Sequence, residues 1–204
     1  MSRKLASLVL VPLIAFGASL ARAQEAPDAL VKRLAEETLA EIRADKDIQA
    51  GNPAKVKQLI EVKLVPHFDT TRMTALAMGR NWRTASPEQQ KELTEQFKTL
   101  LIRTYSNALS NYRDNQMTYA PLRANPSDME VVVRTAVSKA GQAPIPLDYS
   151  MEKTPTGWKC YDVVVSGVSL VTNYRDEFND IVKSSGVDGL IKTLVNKNQS
   201  PPPK

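Results

Sequence analysis

SPEQQKELTEQFKTLLIRTYSNALSNY, Ser86 to Tyr112, is the stretch from which the rest of the chain is read. Leu93, Phe97, Leu100, Leu101, Thr104, Tyr105, Ala108, Leu109 and Tyr112 recur at spacings of three, four and one, which draws one broad apolar stripe along a helix of about seven turns. Lys91, Glu92, Glu95, Lys98 and Arg103 fall on the opposite, solvated face. Ser86 is a suitable N-cap, Pro87 fits the first helical position where no amide hydrogen is needed, and Gln89 completes a Ser-x-x-Gln capping box. After Tyr112 the period changes from 3.6 to 2. Met129, Val131, Val133, Thr135 and Val137 alternate with more polar neighbours, and so do Leu147, Tyr149 and Met151, as half-buried antiparallel strands require. With 117–122 before them and 158–165 after, and with turns around Gly141 and Gly157, the reading is a meander of about four strands.

Upstream of Ser86, Asp69 reads as the N-cap of a short helix with Met73, Leu76 and Ala77 on one face, ended by Gly79 in a left-handed conformation and followed by Trp82. A first amphipathic helix is expected from Pro27 to Ala50, with Asp28 as cap, and a second after the Asn52-Pro53 start, bearing Val56, Leu59, Ile60 and Val62. At the other end, Ser169 is expected to cap a helix carrying Leu170, Val171, Tyr174, Phe178, Ile181 and Val182, with Gly186 as its stop and a last short helix beyond. Helices, then strands, then helices make an α+β chain: a twisted antiparallel sheet of about four strands covered by helices on one face. The helical part spans 24–112, the sheet 113–166 and the closing helices 169–198, as one domain over 24–199 with a disordered Pro-rich tail at 200–204.

Residues 1–23 read as a cleaved secretory signal: a basic start at Arg3-Lys4, an apolar run broken by Pro12 and Gly17, and Ala21-Arg22-Ala23 before the cut. The run is too short and interrupted for a membrane span. The formal net charge of +5 includes Arg3, Lys4 and Arg22, so the chain after the cut carries about +2, and no clustered basic stripe points to nucleic acid. Cys160 is the only cysteine, in a segment expected to be a strand, and reads as a buried structural thiol, with an intermolecular disulfide or reactive thiol as the alternatives.

No catalytic or metal-ligating constellation is legible. His67 is the only histidine: a metal site needs several ligands, a catalytic Cys160 would have this one histidine alone as its base, and His67 reads as structural, hydrogen-bonded at a helix start. Asp148 and Asp162, on separate strands, are the one pair of carboxylates that could meet as acid and base. What stands out instead is adaptable apolar material around the helix and sheet faces, including Met73, Met78, Met117 and Met151. By composition alone that material reads as core.

The run LVPHFDTTRMTALAMGRNWRTASPEQQKELTEQFKTLLIRTYSNAL, Leu64 to Leu109, resembles the signature of the MlaC family, and the resemblance continues in Gly157-Trp158-Lys159, in Gly167 to Val171 and in Tyr174-Arg175 with Phe178. It extends over about 30–195. That resemblance implies a mixed fold with a part similar to the nuclear-transport-factor-2-like cone and a helical extension, and an apolar cavity holding the acyl chains of a phospholipid. It also implies a periplasmic location, no catalysis, no cofactor, and handover partners: an outer-membrane lipoprotein complex and the MCE-domain ring of an inner-membrane ABC transporter. Core-facing positions near the matched motifs are the expected lining: Leu76, Trp82, Phe97, Leu101, Tyr105, Leu109, Val133, Tyr149, Val164 and Val168. Arg80 and Arg83 flank Trp82 and are expected to be solvated, or to meet a phosphate or an acidic partner. The alternatives are a cone-fold enzyme, which requires a polar dyad in a small pocket, and a periplasmic adaptor with a filled core and an exposed apolar patch.

Overall fold

The computed structural model describes residues 24–110, 115–139 and 141–200, with backbone only at 107–110. The expected signal at 1–23 and the tail beyond Ser200 lie outside the described residues. Helix α1, Pro27–Ala44, begins after Ala26 rather than on a side-chain cap, and Asp28 sits in its first turn, where a carboxylate favours the helix N-terminus. It ends earlier than expected because Asp45 accepts hydrogen bonds from the amides of Asp47 and Ile48 and starts a separate turn, α2 (Lys46–Gln49). Asn52 caps α3, Pro53–Leu59, as its sequence predicts. The expected continuation of that helix does not form. Ile60–Leu64 widens into a π turn and Val65–His67 tightens into a 3-10 turn, because Pro66 has no amide hydrogen to donate, and Val62 is left 63% exposed.

Asp69 caps α4, Thr70–Met78, through the Arg72 amide at 2.7 Å, and Gly79 ends it as expected, but at φ 56° and ψ −131°, outside the left-handed helical region. The capping box closes on α5, Pro87–Ser110: the Gln89 amide donates to Ser86 Oγ at 3.2 Å and the Ser86 amide to Gln89 Oε1 at 2.9 Å. Five strands follow: β1 (Gln116–Tyr119), β2 (Glu130–Ser138), β3 (Ile145–Thr154), β4 (Gly157–Val165) and β5 (Val168–Ser169). Each pairs antiparallel with the next, in spatial order β1-β2-β3-β4-β5, so the sheet is an open meander. The fifth strand, of two residues, adds to the four that the alternation predicts. Ser169 Oγ then accepts from the amides of Val171 and Thr172 and caps a 3-10 turn, Thr172–Tyr174, so that α6 (Arg175–Gln199) begins later than expected. Gly186, at φ 70° and ψ −177°, breaks α6 into the two segments its sequence announces.

Two cores result. Leu30 and Val31 of α1 lie on Val131, Val133, Met151 and Cys160 of the sheet, while Val132 on the opposite face is 38% exposed. Helices α4, α5 and α6 make the other core around Met73, Met78, Leu93, Phe97, Phe178 and Leu190. Phe97 meets Tyr174 and Phe178 edge-on, each at 5.2 Å, an arrangement that adds to the stabilisation from burial. Phe68 packs against both cores, and its backbone bridges to Cys160 at the edge of β4, where the Asp69 amide donates to the Cys160 carbonyl at 2.9 Å.

Candidate functional site: two apolar cavities meeting at Leu64 and Phe68

Between α1 and the sheet lies a cavity of about 170 Å3. Its helical wall is Val31, Leu34, Ala35, Thr38 and Leu39, a face with helical spacing, and its sheet wall includes Met117, Val137, Tyr149, Met151 and Cys160. A second cavity, of about 190 Å3, lies between α5 and the end of the sheet, walled by Ile60, Met73, Leu101, Ile102, Tyr105 and Val163 among others. Leu64 and Phe68 line both. The two are thus neighbours across a partition supplied by the irregular π and 3-10 turns. Dry apolar cavities of about 150 Å3 accept benzene-sized hydrocarbon, so each is roomy enough for a segment of chain.

One cation, Lys98, stands on the wall of the second cavity, paired with Glu95 at 2.5 Å. Burial pushes the Cys160 thiol up, so it stays protonated, and its Sγ donates to the Asp162 carbonyl at 3.2 Å. Burial, with help from Tyr174, pushes the Tyr105 hydroxyl up to about 12. His67, on the wall of the first cavity, is held below its ordinary value by burial and by the cations of Arg33 and Lys159, which favours the neutral ring. Asp148 and Asp162 line neither cavity, and among the described residues no group of three or more His, Cys, Asp or Glu is placed to hold a metal ion.

Of the expected lining residues, Tyr149 stands on the first cavity and Leu101 and Tyr105 on the second. Phe97 is fully buried in the helical core, with Leu76 and Trp82 packed against that core, and Val133 is buried between α1 and the sheet. Leu109 lies on α5, its side chain outside the described residues. Val168 is 54% exposed. Val164 is displaced from the inner face by a bulge: Met151 pairs with Cys160 but Ser150 with Asp162, so Tyr161 is an extra residue, and Val163, opposite Tyr149, faces inward instead. Sequence reasoning missed Leu64, Phe68, Thr38 and Asn115 as lining. The spacing of Val31, Leu34, Thr38 and Leu39 on α1 held a signal for Thr38; nothing local marked Phe68.

An open antiparallel sheet with helices over one face, and two adjoining apolar cavities in the gap, defines a cavity-bearing α+β protein. The chain belongs to the MlaC protein family, whose family profile matches residues 32–196. It is 29% identical over 186 residues to the toluene tolerance protein ttg2D of Pseudomonas putida, spanning 91% of this chain and 86% of that one. To the intermembrane phospholipid transport system binding protein MlaC of Haemophilus influenzae it is 25% identical over 182 residues, 88% of this chain and 85% of the other. Among solved structures it resembles a phospholipid-binding protein from Ralstonia solanacearum in complex with a phospholipid, with a TM-score of 0.79, 45% identity and coverage of 84% of this chain and 96% of that one.

Proposed function

We propose that the protein is a periplasmic phospholipid carrier, exported by a signal at 1–23, that takes diacyl lipid from one membrane-bound complex and delivers it to another without catalysis or a prosthetic group. The observation that carries this reading is the pair of apolar cavities meeting at Leu64 and Phe68, in a chain 45% identical to a protein whose structure holds a phospholipid. Two acyl chains of about fifteen methylenes each, at about 0.8 kcal/mol per methylene, put free lipid roughly 24 kcal/mol uphill in water. Unaided crossing of an aqueous compartment is therefore negligible, and a dry cavity removes the obstacle with no reaction. Because leaving the cavity into water meets the same cost, transfer has to be a direct, nearly thermoneutral handover. The partners that fit are an outer-membrane lipoprotein complex and the MCE-domain ring of an inner-membrane ABC transporter, in keeping with maintenance of outer-membrane lipid asymmetry. Leu101, Tyr105 and Tyr149, with Leu64 and Phe68, are the proposed acyl contacts.

The test is native mass spectrometry of the protein purified without detergent, followed by solvent extraction. A stoichiometric phospholipid adduct is expected. A clean apo mass that persists after incubation with phospholipid vesicles overturns the carrier reading.

A further inference from the structure

The wall of the first cavity is apolar except for His67, Thr38 and Asn115, and the last two are residues with an unpaired polar atom. Thr38 and Asn115 are 4% and 9% exposed, and neither Thr38 Oγ1 nor Asn115 Oδ1 has a hydrogen-bond partner. They are two of the five buried side-chain atoms left without one among the described residues, and the other three, on Glu152, Asp162 and Asn198, line neither cavity. Buried polar atoms are satisfied in the great majority of native sites, since leaving one unpaired is costly. A cavity meant only for hydrocarbon would have Val and Leu at these two positions. Along α1 the wall runs from Val31, packed with Met151 and Cys160, to Thr38, seven residues or about 10 Å further on. Arg43, on the last turn, donates through Nη2 to the Asn115 backbone carbonyl at 3.5 Å. The order along the helix is thus apolar wall, neutral hydrogen-bonding pair, cation. A glycerophospholipid has the matching order: acyl chain, ester carbonyls, phosphate.

We propose that Thr38 and Asn115 form a polar subsite for the ester carbonyls of a diacylglycerol lipid, orienting it with its acyl end toward Met151 and Cys160 and its phosphate end toward Arg43. The Thr38 hydroxyl donates to one ester carbonyl. The Asn115 carboxamide turns about its terminal torsion and offers its NH2 to the second. This assignment rests on the carrier reading and adds to it a choice of linkage chemistry, since an ether lipid of the same length has the chains and the phosphate but no carbonyls.

The experiment strips the protein of lipid and titrates it with vesicle-borne diester phosphatidylethanolamine and with its dialkyl ether analogue of equal chain length. Wild type is expected to bind the diester about tenfold more tightly, the factor one buried hydrogen bond supplies. The Thr38→Val/Asn115→Leu double variant is expected to bind both lipids alike and, when lipid-free, to unfold at higher denaturant than wild type, because it no longer buries unpaired polar atoms. A merely structural role for the pair predicts the reverse shift in stability. Thr38→Ser keeps the hydroxyl and keeps the preference. Equal binding of the two lipids by wild type, a comparison that needs no variant, means that internal water satisfies the pair and overturns the subsite while leaving the carrier intact. Failure of wild type to bind either lipid overturns the carrier reading and the subsite together.

Discussion

Asp162 is a strand carboxylate only 8% exposed, with Oδ1 unpaired. Burial pushes its carboxyl above the ordinary range, against the pull of Ser169 and of the Val163 and Val171 amides. A carboxyl raised by folding holds its proton more tightly in the folded chain. Its stabilising contribution is therefore full below the unfolded value and is lost as pH rises through the folded one. Asp162→Asn should stabilise the protein by about 1 kcal/mol at pH 7 and by nothing at pH 3. Urea unfolding at the two values reads the difference, and a variant less stable than wild type at pH 7 would show that the carboxylate is held by its hydrogen bonds and not opposed by burial. Strict alternation from Cys160 puts Asp162 on the same buried face in Trp158-Lys159-Cys160-Tyr161-Asp162, but it says nothing of the orphaned oxygen. The bulge at Tyr161 changes that rule, exchanging Val163 for Val164 on the inner face. A bulge is selected by what packs on both sides of a strand, which local spacing does not encode.

At the scale of the element, sequence signals that depend on near neighbours were read faithfully. The Ser86 box, the Asp69 and Asn52 caps and the stops at Gly79 and Gly186 involve residues within one or two turns of each other. The failures lie where two local rules compete: Asp45 caps a new turn inside a pattern that is periodic through it, and Pro66 distorts the end of another. Gly186 gives the sharper test. Its φ of 70° with ψ of −177° belongs to a region that only glycine occupies freely, and a Cβ there meets no atom within 4 Å, so the cost of a side chain is purely one of backbone. Gly186→Ala is expected to cost about 2 kcal/mol in thermal unfolding. The second half of α6 carries Leu190 and Leu194 into the helical core, so the substitution should also loosen amide protection there before it affects the sheet. Uniform loss of protection would mean that the break in α6 is not an independent joint.

The α+β order was visible because periodicity changes from helical to alternating after Tyr112 and back again near Ser169, but the position of the cavities depends on how two cores are set against each other, and no single segment records that. Phe68 is the residue where they meet: it packs on both cores and walls both cavities. Its sequence context, Pro66-His67-Phe68-Asp69, announces only the helix start that follows. Truncating it distinguishes a partition from ordinary core. Phe68→Ala opens one cavity into the other, and because the ring is only half-buried the lipid-free protein should lose about 2 kcal/mol, less than the usual cost of a fully buried Phe. Lipid bound at a hundredfold excess over its dissociation constant stabilises the folded chain by about 2.7 kcal/mol. In the variant an acyl chain can occupy the space the ring has left, so its stabilisation by lipid should exceed that of wild type and the two loaded proteins should unfold at similar urea concentrations. The measurement is a pair of urea curves, lipid-free and lipid-loaded, for each protein. If the variant loses the same stability in both states, the ring is filling the core and the acyl chains lie elsewhere; if the loss shrinks on loading, Leu64 and Phe68 are the movable divide between two halves of one binding space.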